Sequence, residues 1–587
     1  MKVKLHHRKL HVDPVTREMT MALFRKTGDL SIRWKDGKAV LSNNRDAIET
    51  ILELCPDAEF CERSIQERDK VLQAAQYEEI RVEDVDLSDY VFKTTPREAQ
   101  NTALKLSKRR EYFAFLMGQG SGKTKVVIDE TANLWLKGEI DYVFVFAPKG
   151  VHAQWADQQY PEHCPCPHES YVYYAGDPKS IKEIQEFLDS PRDRLKVVCV
   201  NLETVSYVSG QKLLDKLTKY FPKSYAAIDE ASRINNNSKR TEQFIERREG
   251  FKFRRILSGT PMTRSVENLY FPFQFLDDAI LGHTSFYAYR AEFCQLETVT
   301  IGKDTPDEKK FQKVVGVRSV EKLQERISAH SFRIRTQDCV DLPPIQYIHR
   351  HIEITPEQKK HYDDLKKHFL LEAENGEIVT FRLAIVRIHH LMKILRGFLP
   401  RQVSPDCDTY VPLKTNRIQS IVDHVKELDG KATLWTWFVE ERRQYVEAFE
   451  KHGITYTVYN SQTSRSALRD IASDSCQVFI SDPASGGIGL NLQMCEQSLW
   501  TGPPRSLEHW LQANTRVWRQ GQEKPVSVLV PLITGSTEEK SMKNIYDTED
   551  LASLILDNRL GEREIQEVRD KVMKQFKSPT DLLRKLA

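Results

Sequence analysis

The chain has no paired cysteine framework: its ten cysteines are scattered over 587 residues. That excludes a small disulfide-stapled scaffold and fits a reducing compartment. No apolar run is long enough to span a bilayer, so no membrane is expected as a partner. The opening residues, MKVKLHHRKLHVDP, are basic but lack the apolar core of a secretory leader. Neither a low-complexity linker nor a repeat at solenoid spacing is present. No single sign of charge dominates: 86 Lys and Arg stand against 84 Asp and Glu, a net of +2. Near-neutrality does not exclude a nucleic-acid partner, because positive charge can be local.

What is present is an ordinary balance, 40% hydrophobic and 29% charged, on a chain long enough for several domains. In HCPCPH, His163, Cys164, Cys166 and His168 fall within six residues. Ligands so tightly packed rarely fit one tetrahedral zinc ion, so the stretch reads as a proline-punctuated surface loop, with a metal site as the lesser reading.

Residues 1–90 read as a small N-terminal α/β accessory domain. LSIRWKDGKAVL has two short strand signals joined by Asp36-Gly37, a hairpin signature, and NRDAIETILELC has helical spacing with Asn or Asp as a cap. Over 91–276, short β-branched and aromatic runs (YVFVFAP, LKVVCVN, YAAIDE) alternate with helical stretches, which implies a parallel sheet with crossover helices. Residues 277–410 are rich in charged helix formers and read as a helical insertion and joining segment. A second α/β pattern covers 411–535, with ATLWTWF, TYTVYN, CQVFISD, QSLWTG and VSVLVPL as strands. Residues 536–587 read as a helical brace. The fold class expected is α/β: two parallel-sheet lobes with a helical insertion, plus a small N-terminal α+β domain.

The stretch FAFLMGQGSGKTKVVIDE runs from a strand through glycines into a helix. Glycines let the backbone approach phosphate oxygens and turn N–H groups towards them, so Gly120, Ser121 and Gly122 form the expected cradle. The helix starting near Lys123 adds its positive end. Lys123 would reach the β and γ phosphates and the Thr124 hydroxyl would ligate magnesium. A hundred residues on, YAAIDEAS ends an apolar strand in Asp229-Glu230. Asp229 is the expected magnesium acid, and Glu230 the group that orients and deprotonates water. In QANTRVWRQGQ, Arg516 and Arg519 lie three apart, on one face if helical. Guanidinium forks suit phosphate.

In this order and spacing the chain resembles the Swi/Snf-related ATPases, helicase-like DNA translocases of superfamily two. TTPREAQ resembles the adenine-recognising segment, MGQGSGKT motif I, APKGVHAQWADQ motif Ia, IDEASRINNNSK motif II and LSGTPMTRSVENLYFPFQFL motif III. FRIRTQDCVDLPP with ITPEQKKHYDDL resembles the segment joining the lobes. ATLWTWF, ASGGIGLNLQ and QANTRVWRQGQ resemble motifs IV, V and VI. The resemblance implies two RecA-like lobes and ATP with Mg2+ as cofactors. It assigns ATP contacts to Arg97, Gln100, Gly118, Gln119 and Gly489 beside the cradle. Ser258, Thr260 and Gln512 are implied to couple hydrolysis to movement, and Arg516 and Arg519 to reach the γ-phosphate. Met117, Ser232 and Arg264 depart from the family pattern, where an acid, a histidine or glutamine, and an asparagine are usual.

The activity implied is translocation on double-stranded DNA without sequence preference. Candidate backbone contacts are Lys149, Trp155, Asn201, Ser485 and Gly486. The basic run KRTEQFIERREGFKFRR reads as a solvated face, with direct DNA contact as the other reading. Alternatives are a strand-separating or fork-remodelling DNA or RNA helicase, a motor subunit of a restriction-like nuclease, and a nucleotide-gated binding module. The expected compartment is a bacterial or viral-host cytoplasm, or a nucleus if the host is eukaryotic.

Overall fold

The computed structural model describes residues 1–556 apart from 7–8, 28–31, 43–44, 63, 66–67, 70–81, 177–179, 222, 302–308, 375–380, 405–406, 461–463, 474 and 487–489. The chain divides into two compact units. The first holds Met1–Gln295, Gly316–Cys339 and 552–556, and the second Leu296–Val315 and Val340–Leu551.

The first unit begins with a five-stranded sheet: β1 (Lys2–His6), β2 (Lys9–Asp13), β3 (Arg33–Lys35), β4 (Lys38–Ser42) and β5 (Glu59–Phe60), in the order β3-β4-β2-β1-β5. The expected hairpin forms at Asp36-Gly37, whose φ of 51° and 76° are the left-handed values that a two-residue turn between twisted strands requires. Alternation decides the faces. Val3, Leu10, Val12, Ala39 and Leu41 point to one side and pack with Leu23, Ile48 and Ile51 of helices Arg17–Thr27 and Arg45–Leu54. The Asn and Asp cap expected for the second of these helices falls partly on 43–44, outside the described residues.

The larger sheet of this unit contains β6 (Tyr112–Met117), β7 (Tyr142–Ala147), β8 (His168–Tyr173), β9 (Leu195–Asn201), β10 (Ser224–Ile228) and β11 (Phe253–Leu257). Strands β6, β7, β10 and most of β9 are buried on both sides, which is why they read as continuous apolar runs. With Ser331–Ile334 (β14) at its edge the sheet's order is β14-β6-β11-β10-β7-β9-β8, and the strand pairs are parallel. All carboxyl ends therefore share one edge, where ligands bind in such sheets.

Segment 277–410 is not helical throughout. Besides helices it contains β12 (Cys294–Ile301) paired with β13 (Lys309–Val317), and β16 (Phe398–Ser404) paired with β17 (Cys407–Pro412). Its strands β14 (Ser331–Ile334) and β15 (Ile345–Ile352) complete the edges of the two large sheets. An edge strand needs only one ladder partner and less apolar surface, so charged helix formers around these strands mask their pattern.

In the second unit, β18 (Ala432–Trp435), β19 (Tyr456–Val458), β20 (Val478–Ser481), β21 (Gln497–Trp500) and β22 (Val526–Ile533) join β15 in a parallel six-stranded sheet, order β15-β22-β21-β18-β20-β19. These are the five strands expected from sequence. Helix Thr537–Leu556 follows. No described helix is long and apolar enough to cross a membrane.

Two sequence readings are corrected by burial. The run KRTEQFIERREGFKFRR is not a solvated face at its end. Arg254 and Arg255 lie in β11, fully buried. Arg255 grips Glu130 through Nη2 at 2.6 Å and Nε at 3.0 Å, and Arg254 donates to the carbonyls of Leu276 and Arg248. Likewise HCPCPH is no surface loop. Cys164 and Cys166 are buried in the core, their sulfurs 3.6 Å apart, and His168 begins β8. The prolines turn the chain back under helix Lys123–Leu136, to which neighbouring Tyr160 bonds through Thr131.

Candidate active site

Three turns meet at the carboxyl ends of the adjacent strands β6, β11 and β10. The first, Gly118 to Gly122, leaves β6 and enters helix Lys123–Leu136. Gly120 and Gly122 have φ of 75° and 85°, open to glycine and strained for other residues. A Cβ on Gly118 would lie 2.5 Å from the Thr336 amide nitrogen, and one on Gly122 would lie 2.1 Å from Gln100 Nε2. The Lys123 ammonium folds onto the loop, donating to the carbonyls of Met117 (2.9 Å) and Gly118 (3.2 Å). Phosphate oxygens are stronger acceptors for that ammonium than neutral carbonyls. Met117 is fully buried as the last residue of β6, where the charge of an acid would be stripped of water.

The adenine-type segment is tied to this loop. Arg97 begins helix Glu98–Ser107, its backbone N–H donating to Gln100 Oε1 at 2.8 Å. Gln100 Nε2 then donates to the Ser121 carbonyl at 3.2 Å. Gln100 is thereby both a cap and a brace of the cradle.

The second turn holds the acids. Glu230 sits in the left-handed region at φ 52°, a strained setting for a non-glycine side chain that aims its carboxylate at the first loop. Gln119 Nε2 donates to Glu230 Oε1 at 3.0 Å, while Glu230 Oε2 is buried with no hydrogen-bond partner among the described residues. Asp229 accepts from the Trp155 indole at 3.1 Å and from the Glu230 amide at 2.9 Å. Burial first, then the neighbouring Glu230 charge, push Asp229 up to about 6, against the opposing pull of Lys123. Two carboxylates in so dry a place call for a cation.

The third turn follows β11. Ser258 Oγ accepts from the Thr260 amide at 3.1 Å, and Thr260 Oγ1 is buried without a hydrogen-bond partner among the described residues. Gly259 abuts the Gln119 side chain, with a built Cβ 3.1 Å from its Nε2. A fourth element was not foreseen from sequence. Thr336, just past β14, donates to the Gln119 carbonyl at 2.8 Å, and Arg333 donates to the carbonyls of Leu116 and Gly259. No local spacing connects residues so far apart in the chain. Ser232 is buried beside the acids, and exposed Arg264 offers its amide to Asn268 Oδ1 at 2.9 Å.

The proposed DNA contacts fare differently. Lys149 is exposed just past β7. Trp155 is only 1% exposed and faces Asp229, so it is withdrawn as a DNA contact. Its ring packs in the core because the helix after β7 turns it beneath the sheet edge. Asn201 ends β9 and accepts from the Glu203 amide at 3.1 Å, a capping role.

Described by itself, the second unit gathers its own polar set. Arg516 Nη1 and Arg519 Nη1 both donate to the Leu490 carbonyl, at 3.4 and 3.0 Å. They do not share a helical face, because helix Leu507–Val517 ends between them. A common acceptor brings them together instead. Burial pulls the Arg519 guanidinium down from its usual value, and arginine remains charged there. Arg516 Nε also bonds the Gln512 carbonyl at 3.2 Å. Gln522, missed in the sequence, donates to the carbonyls of Gln493, Cys495 and Val517 and locks the turn after Arg519. Ser485 is exposed with its amide on Asp482 Oδ1, and buried Gly486 has no room for a Cβ beside Ser481 and Trp435. Gly489 lies outside the described residues.

Residues 117–399 match the family model described as SNF2-related domain. The chain is similar to a Mycoplasma pneumoniae protein named "Uncharacterized ATP-dependent helicase", 24% identical over 456 residues, covering 74% of this chain and 39% of the relative. It is similar to human "DNA repair and recombination protein RAD54B", 23% identical over 64% of this chain and 46% of the relative. The chain thus spans less than half of either relative. Among solved structures, the "Sulfolobus solfataricus SWI2/SNF2 ATPase core in complex with dsDNA" aligns at 18% identity and TM-score 0.35, over 82% of this chain and 98% of that one.

Proposed function

We propose that this chain, which belongs to the Swi/Snf-related ATPases through its SNF2-related domain, hydrolyses ATP to translocate on double-stranded DNA and remodel DNA or protein–DNA complexes. One observation carries the reading: Lys123, Asp229 and Glu230, about a hundred residues apart in the chain, are drawn together at one sheet edge through Gln119 and Trp155.

In this reading the glycine loop and Lys123 hold the β and γ phosphates. Water attacks the γ-phosphorus, the bond to the β–γ bridging oxygen breaks, and ADP and inorganic phosphate leave. Glu230, with one oxygen held by Gln119 and the other without a partner, orients the water and takes its proton. The buried carboxylate of Asp229 and the Thr124 hydroxyl would hold a magnesium ion, which would offset the charge on the phosphates. Arg516 and Arg519 supply further positive charge to the γ-phosphate. Differential affinity of ATP for two conformers turns hydrolysis into movement, and backbone contacts make the movement insensitive to base sequence. The names of the relatives, helicase and DNA repair and recombination protein, support DNA as the track.

The test compares ATP hydrolysis alone and with duplex DNA, single-stranded DNA or RNA, beside displacement of a third strand from a triplex. Duplex stimulation and triplex displacement are expected, both lost in Lys123→Ala. Strong unwinding of a forked duplex without triplex displacement would replace this reading with a strand-separating helicase.

A further inference from the structure

The outer face of the N-terminal sheet is a built basic surface. Register places Lys2, Lys4, Lys9, Arg33, Lys35 and Lys38 on the side opposite the buried Val3, Leu10, Val12, Ala39 and Leu41. All six are exposed. The acids facing the same way are Asp13, paired with Lys38 at 3.0 Å, and Glu59, 3.8 Å from Lys2. Lys4, Lys9, Arg33 and Lys35 make no ion pair among the described residues. This one small face thus has six positive charges against two negative, on a chain whose net is only +2.

The register also carries a cost. Lys35 stands directly opposite Lys38 across β3 and β4, and like charges so placed destabilise a sheet. Among the described residues the helices cover only the other face, and this one carries a single half-buried apolar side chain, Val40, opposite Arg33 and His11. Most of its outward side chains are cationic, and no exposed aromatic stands among those described. Trp34 lies on the opposite side, paired with Ala39 and bonded to the Val15 carbonyl at 3.2 Å. A surface that reads single strands stacks bases on aromatics; this one offers charge alone.

We propose that this face is a second, nucleotide-independent binding surface for the sugar-phosphate backbone of duplex DNA. It deepens the motor reading and rests on it for the choice of DNA. Neighbouring strands are about 4.8 Å apart, so the five-stranded face is roughly 20 Å across and can meet several phosphates of a duplex at once.

The experiment measures binding of the full chain to a labelled blunt duplex without nucleotide, across a salt series. Lys4→Glu/Lys9→Glu is compared with Arg17→Glu/Arg25→Glu, a reversal of the same net charge on the exposed helix of the other face. The sheet variant should lose on the order of tenfold in affinity, and its log–log salt slope should fall by about 1.8, that is about 0.9 per lost phosphate contact. The helix variant should bind as the wild type does. The neutral pair Arg33→Gln/Lys35→Gln should weaken binding in the same direction. Unchanged basal ATP hydrolysis reports that each variant is folded. Wild-type affinity and slope in both sheet variants, or an equal loss in the helix variant, overturns the proposal. A larger loss on single-stranded DNA or RNA than on duplex overturns the duplex assignment. A wild type that does not bind duplex overturns this proposal, and one that binds duplex but hydrolyses ATP no faster with it sinks the motor reading alone.

Discussion

The indole N–H of Trp155 donates to Oδ2 of Asp229 at 3.1 Å, linking the helix after β7 to the acid that ends β10. A residue first read as a DNA contact thereby becomes a support of the candidate nucleotide site. Removing the donor leaves a buried carboxylate one hydrogen bond poorer, at a cost of about 1.5–3 kcal/mol for a bond to a charged group. Trp155→Phe should lower ATP turnover about tenfold or more while leaving duplex affinity unchanged. A titration of labelled duplex beside a phosphate-release assay checks both. A variant that hydrolyses ATP normally but binds DNA weakly would restore the first reading.

The glycines of the loop should differ in a predictable way. At Gly118 a methyl group meets the Thr336 backbone, which has no freedom to give. At Gly120 there is open space, and the cost is only the left-handed φ of 75°, about 1–2 kcal/mol for a residue with a Cβ. Gly118→Ala should therefore abolish binding of a fluorescent ATP analogue, and Gly120→Ala should weaken it by a smaller factor. Equal effects would mean that the loop is not seated on Thr336.

Arg255 and Glu130 form a two-point ion pair in the interior of the first unit, and Tyr225 bonds the same carboxylate. Arg255 also satisfies the carbonyls of Glu111 and Arg110. Lysine has the charge but not the planar fork. Arg255→Lys should destabilise the fold by about 3–5 kcal/mol, as for a broken buried pair, read as a lower urea midpoint. A midpoint within experimental scatter of the wild type would refute this.

Asp129 supplies a pH test. Burial pushes its carboxyl up to about 6 from the usual 3.8, and the hydrogen bond from Lys125 opposes that shift. A folded-state value above the unfolded one means that the native chain holds its proton longer. This contribution to stability is full below about 4 and is lost as pH rises through about 6. Asp129→Asn does not titrate. The stability difference, wild type minus variant, should therefore shrink between pH 4 and 6.5 in chemical unfolding. A difference that grows over that range would reverse the sign of the shift.

Much of the candidate nucleotide site's framework was legible because its signals are local. A strand, a glycine turn and a helix occupy one short stretch, and YAAIDE is an apolar strand ending in two acids. What joins them was not legible. Gln119 is bonded by Thr336 from more than 200 residues away, and Gln522 ties the turn holding Gln493 and Cys495 to Val517 at the end of its helix. A hydrogen bond between distant segments leaves no periodicity behind. Buried charge misled in the same way. Arg254, Arg255, Arg396 and Arg417 are fully buried, although arginine in a sequence reads as surface. Each is accommodated by carboxylates or carbonyls that only the packed chain brings near.

The sequence alone determined the central strands of the two parallel sheets, because hydrophobic runs and turn residues act over a few positions, but not the strands within 277–410. It also pointed to the residue types suited to a phosphate, because glycine, lysine and paired acids have intrinsic chemistry. Tertiary structure decided which tryptophan is buried, where Arg516 and Arg519 converge, and that six basic side chains share one sheet face. Those outcomes depend on register and on contacts between distant segments, whose free energy exists only once the backbone has closed on itself.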